Sequence, residues 1–297
     1  VVTVVTYNIE WFRERFWPQT QPARPAEGAG DLERALAALW SRNQEDLWEI
    51  SEVILDPKVR PDILVIQEGA EQKDLESFNR QWLKGYFATI RQLPSNTGRG
   101  QHVAILLRDG FRIVEQKSFH DEPDPTDNTR KLFARGPTFC LIETPDGFRF
   151  WVGTNHMKSK SGNSLEVTQW RNREARRTHE IIAELRRQGP RQLIFLGDVN
   201  DSIGLDEFEK MEGSGGDTVR NLAGDDLVII TQRLQEAGDI TYGGYNRPRY
   251  RSFIDHAVVT PELKDRVRQV YVFTEGLARV ASDHYPLVVK IEERPEK

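Results

Sequence analysis

Short β-branched apolar runs recur from one end of this chain to the other, and polar residues close nearly every one of them. Residues 1–9 (VVTVVTYNI) and 62–68 (DILVIQE) come first; 192–200 (QLIFLGDVN), 251–260 (RSFIDHAVVT), 268–275 (RQVYVFTE) and 285–293 (YPLVVKIEE) follow. Residues 102–116 read as two strands joined at Asp109-Gly110, and 138–156 as a hairpin through Pro145-Asp146-Gly147. Two helical patterns lie among them. Leu32, Ala35, Leu36, Leu39 and Trp40, then Leu47, Ile50 and Ile54, place one over 31–55. Ser164 as N-cap, Glu166 in the first turn, and Ile181, Ile182 and Leu185 place a longer one over 163–188. Hairpins mixed with helical crossovers demand an α/β (α+β) protein with mixed sheets, not a simple doubly wound one.

Three turn-rich segments, 17–30, 121–129 and 212–217, read as surface loops, and none is long enough to link two independent halves. Residues 1–297 are therefore expected to form one domain. The apolar share is 38%, which with 22 glycines matches an ordinary globular chain able to bury a full core. The lone Cys140, in TFCLIE, reads as a buried strand thiol; it excludes a disulfide framework and a multi-cysteine zinc site. No stretch approaches the roughly 18–20 apolar residues of a membrane span, so a soluble protein is expected. The chain starts at Val1 without a charged or apolar leader, as a mature exported or trimmed form would, and the single cysteine tips the expectation slightly towards a secreted or periplasmic protein.

The chemistry is at the strand ends. Asn8 and Glu10 close the first run, Gln67-Glu68 the second, Asn155-His156 the hairpin, and Asp198 and Asn200 the next; Asp255 lies within IDHAVV and Asp283-His284 precede the last. Strand ends along one edge of an α/β sheet meet in space, and ligands bind there. Carboxylate and amide oxygens suit a hard cation such as Mg²⁺ or Mn²⁺. Histidines beside carboxylates suit acid–base work near pH 7. Together they describe metal-assisted attack of water on a phosphoester.

TYNIEWF, IQE, TNHMKS, GDVND, SFIDHAVV and SDHYPLVV, in that order over residues 3–288, resemble the endonuclease/exonuclease/phosphatase superfamily, in the style of its bacterial extracellular nucleases. The resemblance implies a four-layer αββα sandwich of two packed mixed β-sheets flanked by helices, with the site at one edge of the sheets. It implies Glu68 as principal metal ligand, Asn8 holding metal or phosphate oxygens, and Asp283 completing the shell, with Glu10 a further acid nearby. Asp198 would orient or deprotonate the attacking water and Asn200 position the scissile phosphate. His284, oriented by Asp255, and His156 would contact the phosphate from two sides. Mg²⁺ or Mn²⁺ is the implied cofactor, with Ca²⁺ admitted as a structural ion. The deoxyribonuclease branch pairs the histidine of its NH motif with an upstream glutamate, but 92–106 carries no acid here. A backbone carbonyl, Asn96 or Gln101 is left to orient His156. His102, His120, His179 and His256 are expected to be without catalytic function, with His179 on the solvated side of its helix and His256 on the strand face opposite Asp255.

A net charge of -5 argues against a protein that binds nucleic acid through bulk charge. The charge is unevenly spread, however. Residues 156–191 hold nine basic residues against four acids, and Arg247, Arg249 and Arg251 interleave with Tyr245 and Tyr250. Arginine with tyrosine suits phosphate contact and base stacking. Lys158 is the leading phosphate contact and Arg135 a second from family position, with Arg249, Arg251 and Tyr245 as further substrate contacts. The expected activity is a monomeric, metal-dependent nuclease, most of all a DNA endonuclease. A phosphatase or lipid phosphodiesterase of the same superfamily is the alternative, and a catalytically silent scaffold is disfavoured by the complete acid–amide–histidine set.

Overall fold

A computed structural model describes residues 1–10, 30–98, 100–162, 164–243 and 248–293, with the backbone alone of 31–42. The loop expected over 17–30, the side chains of Leu32 to Trp40, and Tyr245 and Arg247 lie outside the described residues, Gly30 excepted.

Two six-stranded sheets form the centre. The first contains β1 (Val2–Asn8), β2 (Ile63–Gly69), β3 (Thr89–Gln92), β4 (His102–Leu107), β13 (Val267–Val272) and β14 (Leu287–Ile291), in the order β13-β14-β1-β2-β4-β3. The second contains β5 (Arg112–Ser118), β8 (Thr138–Glu143), β9 (Arg149–Thr154), β10 (Leu193–Asp198), β11 (Val228–Ile229) and β12 (Asp255–Val259), in the order β11-β12-β10-β9-β8-β5. The turn at Asp109-Gly110 thus carries the chain from one sheet to the other, and does not close a hairpin.

Alternation along the strands builds the layers. Val2 and Val4 of β1, with Ile63 and Val65 of β2, pack between the sheets against Cys140, Ile142, Val152, Ile194 and Leu196. The intervening Val5, Tyr7, Leu64 and Ile66 face outward onto Leu47 and Ile50 of helix α1 (Asp31–Leu55) and Leu75 and Phe78 of α2 (Gln72–Gln81). On the far side, Phe139, Trp151, Leu193 and Phe195 cover Ala175, Ile181, Ile182 and Leu185 of α3 (Leu165–Gln188), and Val219 and Leu222 of α4 (Thr218–Ala223). Helix, sheet, sheet, helix is the four-layer sandwich, and it explains why the strand runs are apolar on both faces. Cys140 lies in the middle layer, where burial pushes its thiol up to about 12, so it is inert. Among the described residues no helix is long and apolar enough to cross a membrane.

Pairing direction gathers the polar strand ends. β1 and β2 are parallel, with Asn8 beside Gln67, and β9 and β10 are parallel, extended by a bridge from His156 to Asp198. β12 and β14 run antiparallel to these and therefore begin where the others end, Asp255 opposite Asp198 and Leu287 opposite Thr6. Asn8, Glu68, His156, Asp198, Asp255 and His284 consequently share one edge. Gly197 permits the closest approach there, since a Cβ on it would sit 2.5 Å from the Asn155 carbonyl oxygen.

One loop reading from the sequence needs correction. Residues 121–129 are not a plain solvated loop, because β6 (Pro123–Asp124) and β7 (Asp127–Lys131) form a small hairpin around buried Asp124, which takes Arg130 Nε at 2.9 Å and Arg173 Nη2 at 3.1 Å. Residues 212–217 do form a surface turn, with Glu212, Gly213 and Gly215 exposed, pinned at buried Ser214 and Asp217 and by the Ser214 and Gly216 carbonyls accepting from Asn172.

Candidate active site

Strand termini are normally where a chain relaxes, yet three of them here are sharply bent. Glu10, Glu68 and Asn200 adopt positive φ of 49°, 55° and 57°, in a region that non-glycine residues rarely enter. Such conformations persist only where surrounding contacts impose them, and they concentrate at functional sites.

Asp198, at the end of β10, is the hub. Its Oδ2 accepts from Asn8 Nδ2 at 3.0 Å across the gap between the sheets, with His156 Nε2 at 3.2 Å and His284 Nε2 at 3.8 Å. Its Oδ1 accepts from the Asn200 amide at 2.9 Å. His284 Nδ1 donates to Asp255 Oδ2 at 2.8 Å, the pairing expected from the sequence. Glu68 Oε1 stands 3.9 Å from His156 Nε2, and Asp283 Oδ1 stands 4.0 Å from His284 Nε2. Glu10 Oε2 accepts from the Asp283 amide, and Asn200 Nδ2 donates to the Met157 carbonyl. The structure brings together all eight residues assigned to catalysis or metal binding, with Glu10 beside them.

The electrostatics follow from burial among opposite charges. Burial opposes ionisation of Asp198, but His156 and His284 together with the Asn8 bond outweigh it and hold the carboxyl well below the usual range. Burial pushes the Asp255 carboxyl up, against the pull of His284. Burial also disfavours the charged His284 ring, yet Asp255, Asp198 and Asp283 raise it to about 10. An ionised Asp198 beside a protonated His284 can bind a cation on one side and a phosphoryl oxygen on the other. Asp198, Asp255 and His284 present potential ligand atoms within 4.8 Å of one another, but a protonated His284 has no lone pair to offer, so the oxygens of Glu68, Asn8 and Asp283 are the donors that fit a hard divalent cation. A second such group, Asp201, Asp206 and Glu209, already holds a protein cation, because Lys160 Nζ pairs with Asp201 and with Asp206.

None of the three candidates orients His156. Asn96 Nδ2 is committed to the His120 and Phe133 carbonyls, and Gln101 Oε1 to Arg135 at 3.4 Å. No carbonyl takes their place: Nδ1 of His156 is buried without a partner among the described residues. Its position is set by the backbone instead, His156 N donating to the Arg135 carbonyl at 3.0 Å and Met157 N to the Asp198 carbonyl at 3.0 Å.

The basic residues divide differently from the sequence pattern. Most of the charge on α3 is consumed internally. Arg171 is fully buried and donates twice to Asp201, while Arg177 pairs with Glu122, Glu180 and Glu184, and Arg186 with Asp226 and Glu262. Lys158 remains beside His156, its Nζ 5.2 Å from the Trp170 ring centre, and Arg135 Nη2 donates to the Met157 carbonyl at 3.2 Å. Arg249 and Arg251 are exposed, together with Tyr250 at 67%. Tyr245 lies outside the described residues. His179 is only partly solvated, packing against α4 with Nδ1 3.2 Å from the Leu222 carbonyl.

Sequence reasoning missed the supports. Thr241 Oγ1 accepts from the amides of Ile254 and Asp255, fixing the start of β12, and Ser282 Oγ donates to the Asn8 carbonyl while accepting from the His284 amide. The Tyr242 ring lies 4.9 Å from that of His284. Ser282, two residues before His284, carried a readable signal as a local hydroxyl cap; Thr241 carried none.

His256 occupies the face opposite Asp255, as expected, with Nε2 3.0 Å from the Asp201 carbonyl. Burial lowers it to about 4, so the folded state holds it neutral. Its contribution is complete above the unfolded value near 6.5 and is lost as pH falls towards 4, amounting to about 2 kcal/mol at pH 5. Glu174 and Glu209, both raised to about 7 chiefly by burial, act in the opposite sense over this range. Urea unfolding at pH 7 and pH 5 should therefore show a steeper acid loss in the wild type than in His256→Gln. Equal slopes would remove this assignment.

Comparison with known proteins agrees with this fold. The model of the endonuclease/exonuclease/phosphatase family matches residues 5–284. No curated protein matches the sequence. Among solved structures, truncated TDP2 of Caenorhabditis elegans is similar at 16% identity and a TM-score of 0.63, over 98% of this chain and 96% of that one. A mannosyl-6-phosphatase of Bacteroides thetaiotaomicron is similar at 18% identity and 0.61, over 99% and 100%. TDP2 of D. rerio, complexed with a single-strand DNA product, is similar at 13% and 0.60, over 98% and 99%. At these identities the likeness is one of fold.

Proposed function

The chain belongs to the endonuclease/exonuclease/phosphatase family, a phosphoester-hydrolysing family, and on that premise we propose that it is a divalent-metal-dependent phosphodiesterase acting on nucleic acid, foremost a DNA endonuclease. The observation that carries the reading is the single Asp198 carboxylate approached by Asn8, His156 and His284 within 3.8 Å, with Glu68 beside them. Glu68, Asn8 and Asp283 would hold Mg²⁺ or Mn²⁺, which supplies charge neutralisation and a lowered water pKa when bound. Asp198, held ionised, orients or deprotonates the attacking water. His284, fixed by Asp255, and His156 donate to non-bridging phosphate oxygens, where charge develops. Asn200 positions the scissile phosphate. Lys158 and Arg135 grip the chain on the His156 side, and Arg249 and Arg251, which precede Asp255 in the sequence, extend the grip, with Tyr245 as the further contact expected from the sequence.

Salt tests this arrangement. Binding of an oligonucleotide in the presence of a chelator should weaken as salt rises, and Lys158→Ala should flatten the slope by about one unit. An affinity indifferent to salt would remove the role of these cations. A phosphomonoesterase is the second reading, favoured by one observation: α3 spends most of its arginines on internal ion pairs, which shrinks the basic surface offered to a polymer. The fold likeness to the mannosyl-6-phosphatase is as close as that to TDP2, 0.61 against 0.60 and 0.63.

A further inference from the structure

Segment 156–158 is held by alternate groups of its backbone. His156 N and Met157 N donate to the Arg135 and Asp198 carbonyls, so the strand framework fixes both peptides. The Met157 carbonyl accepts from Asn200 Nδ2 and Arg135 Nη2. The next amide, that of Lys158, has no strand partner and donates instead to Glu174 Oε2 at 2.7 Å, a side chain rising from the middle of α3. That contact is what anchors the peptide bearing the lysine closest to His156.

Glu174 is an expensive choice for the task. It is fully buried, and its Oε1 has no partner among the described residues. Burying a carboxyl for one hydrogen bond costs more than the bond returns. Burial drives it up to about 7, against the Lys158 amide bond and the nearby charges of Arg135, Arg171 and Lys158. Arg171 spends Nε and Nη2 on Asp201, so Glu174 feels its charge without taking a hydrogen bond from it. A buried ionisable group kept at a net cost, in contact with a segment of the site, fits a role in function and not in stability.

We propose that Glu174 is a positioning residue for substrate: by holding the Lys158 amide from beneath, it sets where Lys158, and Arg135 bound to the neighbouring Met157 carbonyl, meet the phosphate. The proposal rests on the reading of this edge as a phosphoester site. It concerns the grip on substrate and leaves the Asp198 hub untouched.

Two substitutions separate reach from charge. Glu174→Gln keeps the length and an acceptor oxygen; Glu174→Asp keeps the charge but is one methylene too short. Kinetics are run with Mn²⁺ on plasmid DNA or, should the wild type leave DNA intact, on 4-nitrophenyl phosphate, so failure of the nuclease reading changes the substrate and not the comparison. Glu174→Asp should raise KM about fivefold, the scale of one lost hydrogen bond, with kcat within about twofold. Glu174→Gln should keep both near wild type. Hydrogen exchange at the Lys158 amide needs no substrate and decides the matter even if the Asp variant fails to fold: it should be slow in the wild type and in Glu174→Gln. An amide exchanging as fast as a free loop, an Asp variant with wild-type KM, or a Gln variant as impaired as Asp would overturn the proposal.

Discussion

Asp198→Ala should lower kcat by about 10²-fold or more in a protein that still folds, though it melts below wild type because a buried charge partner is lost. One oxygen of this carboxylate receives Asn8 and stands 3.2 Å from His156, and the other receives the Asn200 amide. Removing it deletes the water-orienting group and strands two imidazoles that its charge stabilises. The loss should appear in kcat, because the group acts on charge that develops during reaction. Steady-state kinetics on a phosphodiester, with circular dichroism to confirm folding, would check it. A near-normal kcat in a folded variant would mean that the hub is misassigned.

The second large effect concerns the pair on the opposite side. His284→Ala should also cost about 10²-fold in kcat, as expected on losing a donor aimed at an oxyanion. Asp255 donates nothing to substrate. It holds Nδ1 of His284 at 2.8 Å and, with Asp198, keeps the ring charged. Asp255→Ala should therefore lower kcat in the same direction by a smaller factor, and the double variant should be no worse than His284→Ala alone, since residues acting as a unit are not additive. Losses that multiply would show that Asp255 acts independently of the histidine.

How much of this was legible in the sequence follows from the kind of interaction. Strand runs and the N-cap at Ser164 are local signals, and Ser164 does accept from the Val167 amide. The polar residues at strand ends were equally visible, because a polar group closing a buried apolar run stands out against its surroundings. Pairing between distant strands was not visible. The turn at Asp109-Gly110 joins two strands, as the sequence indicates, but passes between sheets, since nothing local to a turn states which edge the next strand joins. The arginines of α3 resembled a basic face because their partners, Asp201, Glu122 and Asp226, lie 30 or more residues away along the chain. Glu174 looked like one more solvated helix charge, and only the packing of segment 156–158 onto α3 reveals its contact.

The central claim, that this edge hydrolyses nucleic acid with the help of a divalent cation, is tested most directly on supercoiled plasmid DNA. The plasmid is offered with Mg²⁺ or Mn²⁺, with and without a chelator, beside a phosphomonoester such as mannose 6-phosphate. The account predicts nicked and then linear DNA, cleavage stopped by the chelator, and little phosphate released from the sugar. Intact DNA alongside metal-dependent phosphate release from the monoester would contradict it.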